Sequence, residues 1–554
     1  MTKKLLVIGL DGASFNVLDP LIEKGYLPNL AKLIAGGARA DLITTFPPIT
    51  AVAWSSFMTG KNPGKHGIFE FVRLDHDSKR ELAVNASFRQ GRAIWDLLSD
   101  AGRRVIVHNF PCTYPPHDLN GLMIADFMTP KGKRDFTRPL SLLSELEDKF
   151  GPYRLHLSQT YAGGKAQGVL DELNDELEYK AKVTEYLMTE YEWDAFFQYF
   201  WGTDRIQHEL WHIIDEEHPR HNPEEARQYK EKVYAYFNRV DEITGRLIEL
   251  AGKDAMVWVA SDHGFGPAHK YCSFNIWLLQ EGFLKLKSDA LTRLKKMMFS
   301  LGITPEVAFK LIKKLPGSLR PARGASNQPG TSKLLSTFFL SFNDVDWTRT
   351  QAFSKGNYGQ IYVNLKGREP NGVVSPQEYD AVCERIVERL KALKDPRTNE
   401  PWAGQVFRRE QVYEGPRVAD APDVAFLPRD MRYLPLGNAD FTSNKFMVDA
   451  FGISGCHRME GVMIGNGAAV KPHSRLKVAS IYDVTPTMLY LLGEALPEDM
   501  DGRVLNEIIS EEYLNSHPVR LTAQSNEEQT GEIEYSAEEN EDVIERLKSL
   551  GYIG

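Results

Sequence analysis

Cysteine is scarce in this sequence, with four residues in a chain of 554, and none of them forms a CxxC pair. Zinc ribbons and redox-active dithiols need closely spaced cysteines, so neither is expected. We interpret Cys112, Cys272, Cys383 and Cys456 as free thiols in a reducing compartment and predict a cytoplasmic protein. Cys456 adjoins a histidine of interest, but its thiol is expected to pack as a small hydrophobic side chain.

Long apolar runs and a surplus of positive charge are also missing. No stretch of 18 apolar residues occurs, so no membrane-spanning helix is predicted. The apolar run after Lys3 and Lys4 has six residues, which is too short for the core of a signal peptide, and it is expected to form a strand. The formal charge of -9 argues against a nucleic-acid-binding protein, because such proteins usually carry excess positive charge.

Apolar strands and helices alternate along most of the chain. Strands are predicted at 5–10, 104–110, 193–200 and 256–262, with a helix expected over 17–35, and the pattern resumes with a strand at 359–365. Such alternation predicts an α/β fold in which helices cover both faces of a mostly parallel central sheet.

The alternation breaks down between residues 285 and 349. We predict that residues 1–284 and 350–510 form one catalytic core and that 285–349 form an inserted, basic helical cap. Three roles fit this insertion: a lid over an anionic substrate, a basic amphipathic helix in peripheral contact with a membrane, or a solvated face packed on the body. Residues 511–554 are expected to form an acidic flexible tail that ends in a short amphipathic helix, docked on the body or on a partner subunit.

Reactive side chains recur where strands are predicted to end. Asp11 follows the first strand, and Asp262 and His263 close another. Ligands of α/β sheets collect at the carboxyl ends of the strands, so these side chains are expected to lie close together. For Asp11 the alternative is a helix cap. For the Asp262–His263 pair a partner or a metal ion is expected, since an unpaired buried charge is costly.

Two further segments carry candidate site residues. Asp204 and His208 are spaced i, i+4 on a predicted helix, so both side chains can bind one metal ion. The usual interpretation of this spacing is an ordinary pair on the protein surface. His212 continues the same spacing and could be mistaken for a further ligand. Thr50 follows two prolines at a predicted helix start, which favours an anion, with a plain N-cap threonine as the alternative. His457 falls in a glycine-rich loop.

The order of these motifs resembles the type I phosphodiesterase/nucleotide pyrophosphatase family of the alkaline phosphatase superfamily, over most of residues 3–275 and 350–508. Thr50 precedes Thr59-Gly60 by nine residues, and His66-Gly67-Ile68 follows, as in that family. The resemblance implies an alkaline-phosphatase-like fold. It also implies a two-metal hydrolase that cleaves a phosphodiester or pyrophosphate bond through a covalent phosphothreonine intermediate at Thr50.

The resemblance further implies a set of metal ligands. One ion would be held by Asp204, His208 and His457, and the other by Asp11, Asp262 and His263, with the Thr50 oxygen completing the second site. Imidazole and carboxylate ligands suit zinc, with manganese as the alternative. The expected substrate is a small phosphorylated compound, such as a nucleotide, a lipid headgroup or a sugar phosphate.

The chain departs from this family after His-Gly-Ile. Diesterases of the group usually have an asparagine there that helps bind a phosphoryl oxygen, whereas this chain has Phe71 near that position. His269 and Lys270 are candidates to orient the phosphate instead. Two other functions stay open: a phosphomonoesterase or phosphoryl-group transferase using the same site, and a non-catalytic, metal-stabilised binding protein. The sequence leaves the oligomeric state open.

Overall fold

The computed structural model describes residues 4–74, 81–156, 166–307, 338–437, 441–523, 532–550 and 552. Within them the strands are β1 (Leu5–Leu10), β2 (Ala38–Ile43), β3 (Val72–Leu74), β4 (Glu81–Ala83), β5 (Val105–His108), β6 (Gly121–Ile124), β7 (Thr137–Arg138), β8 (Ala195–Phe200), β9 (Met256–Ala260), β10 (Gly264–Pro267), β11 (Lys270–Ser273), β12 (Ala352–Ser354), β13 (Gln360–Val363), β14 (Ala403–Arg408), β15 (Val424–Pro428), β16 (Tyr433–Leu436), β17 (Met447–Asp449), β18 (Gly455–Arg458), β19 (Glu460–Asn466), β20 (Ser474–Ser480), β21 (Leu496–Pro497) and β22 (Leu521–Thr522). The α-helices are α1 (Phe15–Glu23), α2 (Pro28–Ala35), α3 (Thr50–Thr59), α4 (Pro63–His66), α5 (Ile94–Asp100), α6 (Ser141–Phe150), α7 (Ala166–Glu190), α8 (Gly202–Ile214), α9 (Pro223–Ala251), α10 (Phe274–Gln280), α11 (Ala290–Ser300), α12 (Tyr379–Ala392), α13 (Val484–Leu492), α14 (Glu511–Ser516) and α15 (Ala537–Leu550).

The central sheet has nine strands in the order β20-β2-β19-β9-β1-β8-β5-β6-β7. Strands β9, β1, β8, β5 and β6 are parallel to one another. Strand β19 runs antiparallel to both of its neighbours, β2 and β9, and β7 runs antiparallel to β6. The predicted α/β fold with a mostly parallel central sheet is therefore confirmed.

Each face of the central sheet is covered by its own apolar core. In β1 the side chains alternate, so that Leu5 and Val7 enter one core and Leu6 and Ile8 enter the other. Helices α3, α5 and α13 supply the first core, and α1, α2, α7 and α9 supply the second. Because both faces of β1 are buried, its sequence is apolar throughout rather than alternating.

A second, smaller sheet has the order β12-β13-β15-β14, with antiparallel pairing throughout. Helices α10 and α12 pack on it around a core that includes Phe274, Trp402 and Phe426. The strand predicted at 359–365 is β13, but it lies in this second sheet and does not extend the central one. The short apolar sequence of β13 does not indicate which sheet the strand will join.

The single helix expected over residues 17–35 is wrong, because two helices occupy this stretch. Helix α1 ends at Glu23, Gly25 has a positive φ of 80°, and α2 begins with Pro28 in its first turn. The residue before a proline avoids the helical region, and glycine adopts a positive φ without strain. These two residues outweigh the apolar pattern that runs through the segment.

The structure describes the predicted insertion in two parts, residues 285–307 and 338–349. The first part contains α11, on which Leu291 and Met297 are exposed. The buried Lys295 amine of α11 lies 3.1 Å from the carboxylate of Asp344 in the second part. Residues 308–337 of the insertion lie outside the described residues. The lid and membrane-contact roles stay predictions. Among the residues that can be assessed, no helix combines the length and the apolar character needed to cross a bilayer.

The C-terminal segment packs on the body where it is described. Strand β22 pairs with β21, and α15 places Val543, Leu547 and Leu550 in the first core. Residues 524–531, between β22 and α15, lie outside the described part of the chain, so a flexible tail there stays a prediction.

His108 supplies a test of the packing around β5. Its ring is fully buried, with Nδ1 2.8 Å from Gln198 Oε1 and Nε2 2.7 Å from the Tyr153 hydroxyl. Burial, together with the nearby Lys180 charge, lowers the pKa of His108 to about 3. In the unfolded chain this histidine binds a proton below a pH of about 6.5, so acidification from there towards pH 3 favours unfolding by up to about 1.4 kcal/mol per pH unit.

We therefore expect the free energy of unfolding of His108→Gln to fall less than that of the wild type between pH 6.5 and pH 4.5. The difference corresponds to one proton, or up to about 1.4 kcal/mol per pH unit. Urea unfolding at several pH values measures this difference, and the other histidines contribute equally to both proteins. Identical pH dependence in the two proteins would contradict a neutral, buried His108.

Candidate metal centre

Five segments of the chain meet at one edge of the central sheet. Strands β9, β1 and β8 are adjacent and parallel, so their carboxyl ends lie side by side. Asp11 directly follows β1, Asp262 comes two residues after β9, and helix α8, which starts two residues after β8, carries Asp204 and His208. Strand β2 ends at the same edge and leads to Thr50, while the antiparallel β19 begins there.

Thr50 is the first residue of α3, and Ile49 occupies the N-cap position. The plain N-cap alternative for Thr50 therefore does not describe this helix. Asp11 is likewise no helix cap, because the N-cap of α1 is Ser14. Both side chains are buried without a capping role to account for them.

His457 lies on a strand rather than in the loop expected from its glycine-rich surroundings. Strand β18 pairs antiparallel with β10, in a register that sets His457 opposite Phe265. This pairing brings the His457 and His263 rings into a stack with centroids 3.6 Å apart. Beside it, a Cβ on Gly264 would lie 2.0 Å from the carbonyl oxygen of Glu460, the first residue of β19.

Six of the predicted residues form two buried triads, in each of which one ligand atom per residue lies within 4.8 Å of the others. The two groups are Asp204, His208 and His457 (triad A), and Asp11, Asp262 and His263 (triad B). They are also close to each other, since His263 Nε2 lies 4.0 Å from Asp204 Oδ1. The structure thus brings together residues spread over most of the chain.

The three histidines of the triads are held in one orientation. Nδ1 of His208 lies 2.9 Å from the Gly455 carbonyl oxygen, and Nδ1 of His457 lies 2.6 Å from that of Pro48. A carbonyl only accepts hydrogen bonds, so each Nδ1 carries the proton and each Nε2 presents a lone pair to the centre. His263 makes the same contact with Gly264, at 3.1 Å.

The Nε2 atoms of His208 and His457 are only 2.9 Å apart. With both rings protonated at Nδ1, two lone pairs face each other there, which is unfavourable unless a cation binds both. Neutral imidazole nitrogens presented in this way are common metal ligands.

Each aspartate of the triads has one oxygen held by the protein and one left open. Asp262 Oδ1 accepts from the Gly12 N–H at 3.2 Å, Asp204 Oδ2 accepts from the Tyr552 hydroxyl at 3.0 Å, and Asp11 Oδ2 accepts from the Tyr199 hydroxyl. The other oxygens, all buried, find no hydrogen-bond donor within the described residues. They lie 3.2–3.4 Å from Nε2 atoms of the triads. This donor set fits divalent cations.

The pKa values show how unfavourable this cluster is without a cation. Burial raises the pKa of Asp262 to about 7 and, with the charges of Asp262 and Asp204, raises that of Asp11 well above its usual value. Burial would raise the pKa of Asp204 as well, but in the absence of a cation, protonation of the His208 and His457 imidazoles would hold it well below its usual range. The pKa of His263 is lowered well below its usual value by burial and by His457, so its imidazole is neutral.

The Thr50 hydroxyl lies beside triad B. Its Oγ1 is 3.4 Å from His263 Nε2 and is fully buried. The first turn of α3 presents backbone N–H groups and the positive end of the helix dipole to the same place. The site therefore combines a hydroxyl, an anion-favouring helix end and two metal-binding triads.

The other residues singled out in the sequence contact different partners. His212 Nε2 lies 3.5 Å from Glu225, outside both triads. The His269 ring is 5.3 Å from the ring of His218, and Lys270 pairs with Asp449. The buried Phe71 ring lies 5.0 Å from that of Tyr552. A role for Phe71, His269 or Lys270 in substrate binding stays a prediction.

Three tyrosines at the site were not expected from the sequence. Tyr199 and Tyr552 donate to the aspartates as described, and the Tyr358 hydroxyl accepts from the His457 N–H at 3.2 Å. A tyrosine in an apolar strand such as β8 has the pattern of an ordinary core residue, so no local signal distinguished it.

Comparison with known proteins found one matching family and several solved structures with a similar fold. The model of a family described as type I phosphodiesterase / nucleotide pyrophosphatase matches residues 5–439. The structure of murine ectonucleotide pyrophosphatase / phosphodiesterase 5 is 12% identical and superposes with a TM-score of 0.50, covering 92% of this chain and 100% of that one. Phosphonoacetate hydrolase from Sinorhizobium meliloti 1021, solved with phosphonoformate, is 14% identical with a TM-score of 0.51, covering 87% and 94%. At these identities the likeness shows the fold. Curated proteins yielded no match.

Asp262→Asn tests whether triad B binds metal. At pH 8 the substitution removes a buried charge that lacks a full set of partners, so we expect it to stabilise the metal-free protein by about 1–3 kcal/mol. The amide is a poor ligand, so the stabilisation produced by added zinc should shrink, by about 1.4 kcal/mol for each tenfold loss of affinity. Thermal unfolding with and without zinc measures both effects.

Asp126→Asn is the matched control. Asp126 is buried, its pKa is also raised to about 7 by burial, and it belongs to neither triad. This variant should keep the full stabilisation by zinc. Equal zinc effects in wild type and Asp262→Asn would show that triad B does not bind the metal.

Proposed function

This chain belongs to the type I phosphodiesterase / nucleotide pyrophosphatase family, and we propose that it hydrolyses a phosphodiester or pyrophosphate bond with Thr50 as the nucleophile. The observation that carries the proposal is the position of the Thr50 hydroxyl, 3.4 Å from His263 Nε2 and next to two buried Asp/His triads. A protein that only bound metal would have no need of a hydroxyl at the start of α3.

We assign one divalent ion to triad A and another to triad B, with the Thr50 oxygen as a further ligand at triad B. Zinc suits these imidazole and carboxylate donors best, and manganese is the alternative. When bound, a pair of such ions lowers the pKa of a coordinated hydroxyl and stabilises charge on the phosphoryl oxygens. The backbone contacts at the Nδ1 atoms hold the three imidazoles ready for this role.

Thr50 supplies the covalent step. Its Oγ1 forms a bond to phosphorus while the bond from phosphorus to the leaving oxygen breaks, and the proton given up by the Thr50 hydroxyl is balanced by the proton that the leaving group takes up. A water molecule then attacks the phosphothreonine, which releases the second product and restores the Thr50 hydroxyl. The free N–H groups of the first turn of α3 favour the negative charge that the phosphoryl oxygens carry.

Charge balance favours a diester over a monoester. The carboxylates of Asp11, Asp204 and Asp262 carry three negative charges, one fewer than the positive charge of two divalent ions. A phosphodiester carries one negative charge and a monoester dianion two, so the diester adds less negative charge to a site that also holds the Thr50 oxygen.

The proposal extends to the substrate and the compartment. We propose a small phosphorylated substrate, such as a nucleotide, a lipid headgroup or a sugar phosphate, and a cytoplasmic location. The proposed cytoplasmic location is supported by the four cysteines, all of which lie in the described part of the chain as free thiols.

Thr50→Ala tests the nucleophile. With bis-p-nitrophenyl phosphate as the diester and p-nitrophenyl phosphate as the monoester, we expect the wild type to prefer the diester and Thr50→Ala to lose at least about 10³-fold in kcat. Thr50→Ser, which keeps a hydroxyl, should retain measurable turnover. Both variants should still bind two equivalents of zinc, because Thr50→Ala keeps six of the seven proposed ligands and Thr50→Ser keeps all seven.

Thr59→Ala is the control for damage to the helix. Thr59 is the buried last residue of α3, and its hydroxyl donates to the Ser55 carbonyl at 2.7 Å. This variant should hydrolyse the diester at nearly the wild-type rate. A wild-type preference for the monoester would favour a phosphomonoesterase or transferase, and full activity of Thr50→Ala would rule out Thr50 as the nucleophile. Bound zinc without turnover of either ester would favour the binding-protein alternative.

A further inference from the structure

The end of the chain returns to the metal centre. The C-terminal strap, defined here as residues 532–550 together with residue 552, contains α15 and Tyr552. Val543, Leu547, Leu550 and Tyr552 are buried in the same core as α3, and Tyr552 is only 4% exposed. Burial of this apolar face accounts for the docking of α15, since removing aliphatic side chains from water is favourable.

Buried polar side chains hold the backbone on both sides of the Tyr552 ring. Arg205, the neighbour of Asp204 on α8, donates from Nη1 to the Leu550 carbonyl oxygen at 2.9 Å. Asn357, which is 3% exposed, donates from Nδ2 to the Tyr552 carbonyl oxygen at 3.1 Å. The position of Tyr552 is therefore set by the body of the protein and not only by the helix before it.

The phenol ring is packed among aromatic side chains at triad A. Its centroid lies 5.0 Å from that of Phe71, 5.9 Å from Phe127 and 6.2 Å from the imidazole of His208. This packing points the hydroxyl at Asp204, where it donates to Oδ2 at 3.0 Å.

This hydrogen bond decides which oxygen of Asp204 faces the metal position. With Oδ2 bound to Tyr552, Oδ1 is left 3.4 Å from Nε2 of both His208 and His457. Triad B has the same arrangement, because Tyr199 donates to Asp11 Oδ2 and leaves Oδ1 3.4 Å from His263 Nε2. One tyrosine comes from the central sheet and the other from the C-terminal strap, two residues after the end of α15.

We propose that Tyr552 is a positioning residue for triad A, so that the C-terminal strap completes one of the two metal sites. The proposal rests on the metal-binding role assigned to Asp204 under the proposed function. Hydrogen bonds to the outer oxygen of a ligating carboxylate fix its direction, and their loss typically lowers metal affinity by about 10–100-fold.

Tyr552→Phe in the full-length chain is the test, because it removes the hydroxyl and keeps the ring. Metal-free protein is titrated with zinc against a chromophoric chelator, and bound zinc is counted by atomic emission. We expect one of the two equivalents to weaken by about 10–100-fold and the other to stay at the wild-type affinity. Asn357→Ala, which frees the Tyr552 carbonyl but keeps the phenol, should weaken the same equivalent by a smaller factor.

Tyr535→Phe is the matched control on the same strap. The Tyr535 hydroxyl donates to the Met128 carbonyl at 3.2 Å and touches neither triad. Both Tyr→Phe variants should show a cooperative melt when metal-free, and only Tyr552→Phe should lose zinc affinity. If Tyr552→Phe binds both equivalents as the wild type does, or if Tyr535→Phe loses as much affinity as Tyr552→Phe, the positioning role is overturned.

The test of Tyr552 and the test of the proposed function can fail independently of each other. Unchanged zinc binding by Tyr552→Phe, alongside diester hydrolysis that depends on Thr50, would overturn the role of Tyr552 alone. A chain that binds two zinc equivalents but hydrolyses neither ester would overturn the proposed function, while the zinc titrations of the variants would still decide the role of Tyr552.

Discussion

Three carboxylates buried at one edge of a sheet set the main constraint on this protein. Asp11, Asp204 and Asp262 sit where water cannot solvate them, and burial raises the pKa of two of the three. Buried like charges are tolerated only when donors or cations face them. The surrounding structure meets this need in part, with a hydroxyl or an N–H on one oxygen of each aspartate, and leaves the remaining oxygens directed at the imidazoles.

The remaining parts of the site follow from that arrangement. Carbonyl groups fix the tautomers of the three histidines, so the nitrogen lone pairs converge on the open carboxylate oxygens. The pairing of β10 with β18 brings His457 onto His263, and a glycine at 264 permits the close approach of β19 beside it. The same edge also receives the start of α3, where a hydroxyl and a helix terminus meet. The two triads and the first residue of α3 therefore lie together at one edge of the central sheet.

Much of this could be predicted from the sequence, because local signals were present. An apolar strand followed by Asp and Gly, an i, i+4 Asp/His pair and an Asp-His at a strand end are all visible in single segments, and parallel strands bring their ends to one edge. Other features were invisible or misread. The break between α1 and α2 depended on one glycine and one proline, the strand carrying His457 depended on a partner almost 200 residues away, and β13 joined a sheet of its own.

By itself, the sequence determined the fold class, the six residues of the two triads as candidates and the place of Thr50 at a helix start, since these depend on residue type and short-range spacing. The family resemblance implied the division of the six residues between two ions. Only the tertiary structure decided which nitrogen and which oxygen face the centre, and that Tyr199 and Tyr552 hold two of the carboxylates. The physical reason is that hydrogen-bond direction and carboxylate orientation are set by contacts between segments up to 409 residues apart, which no local pattern indicates.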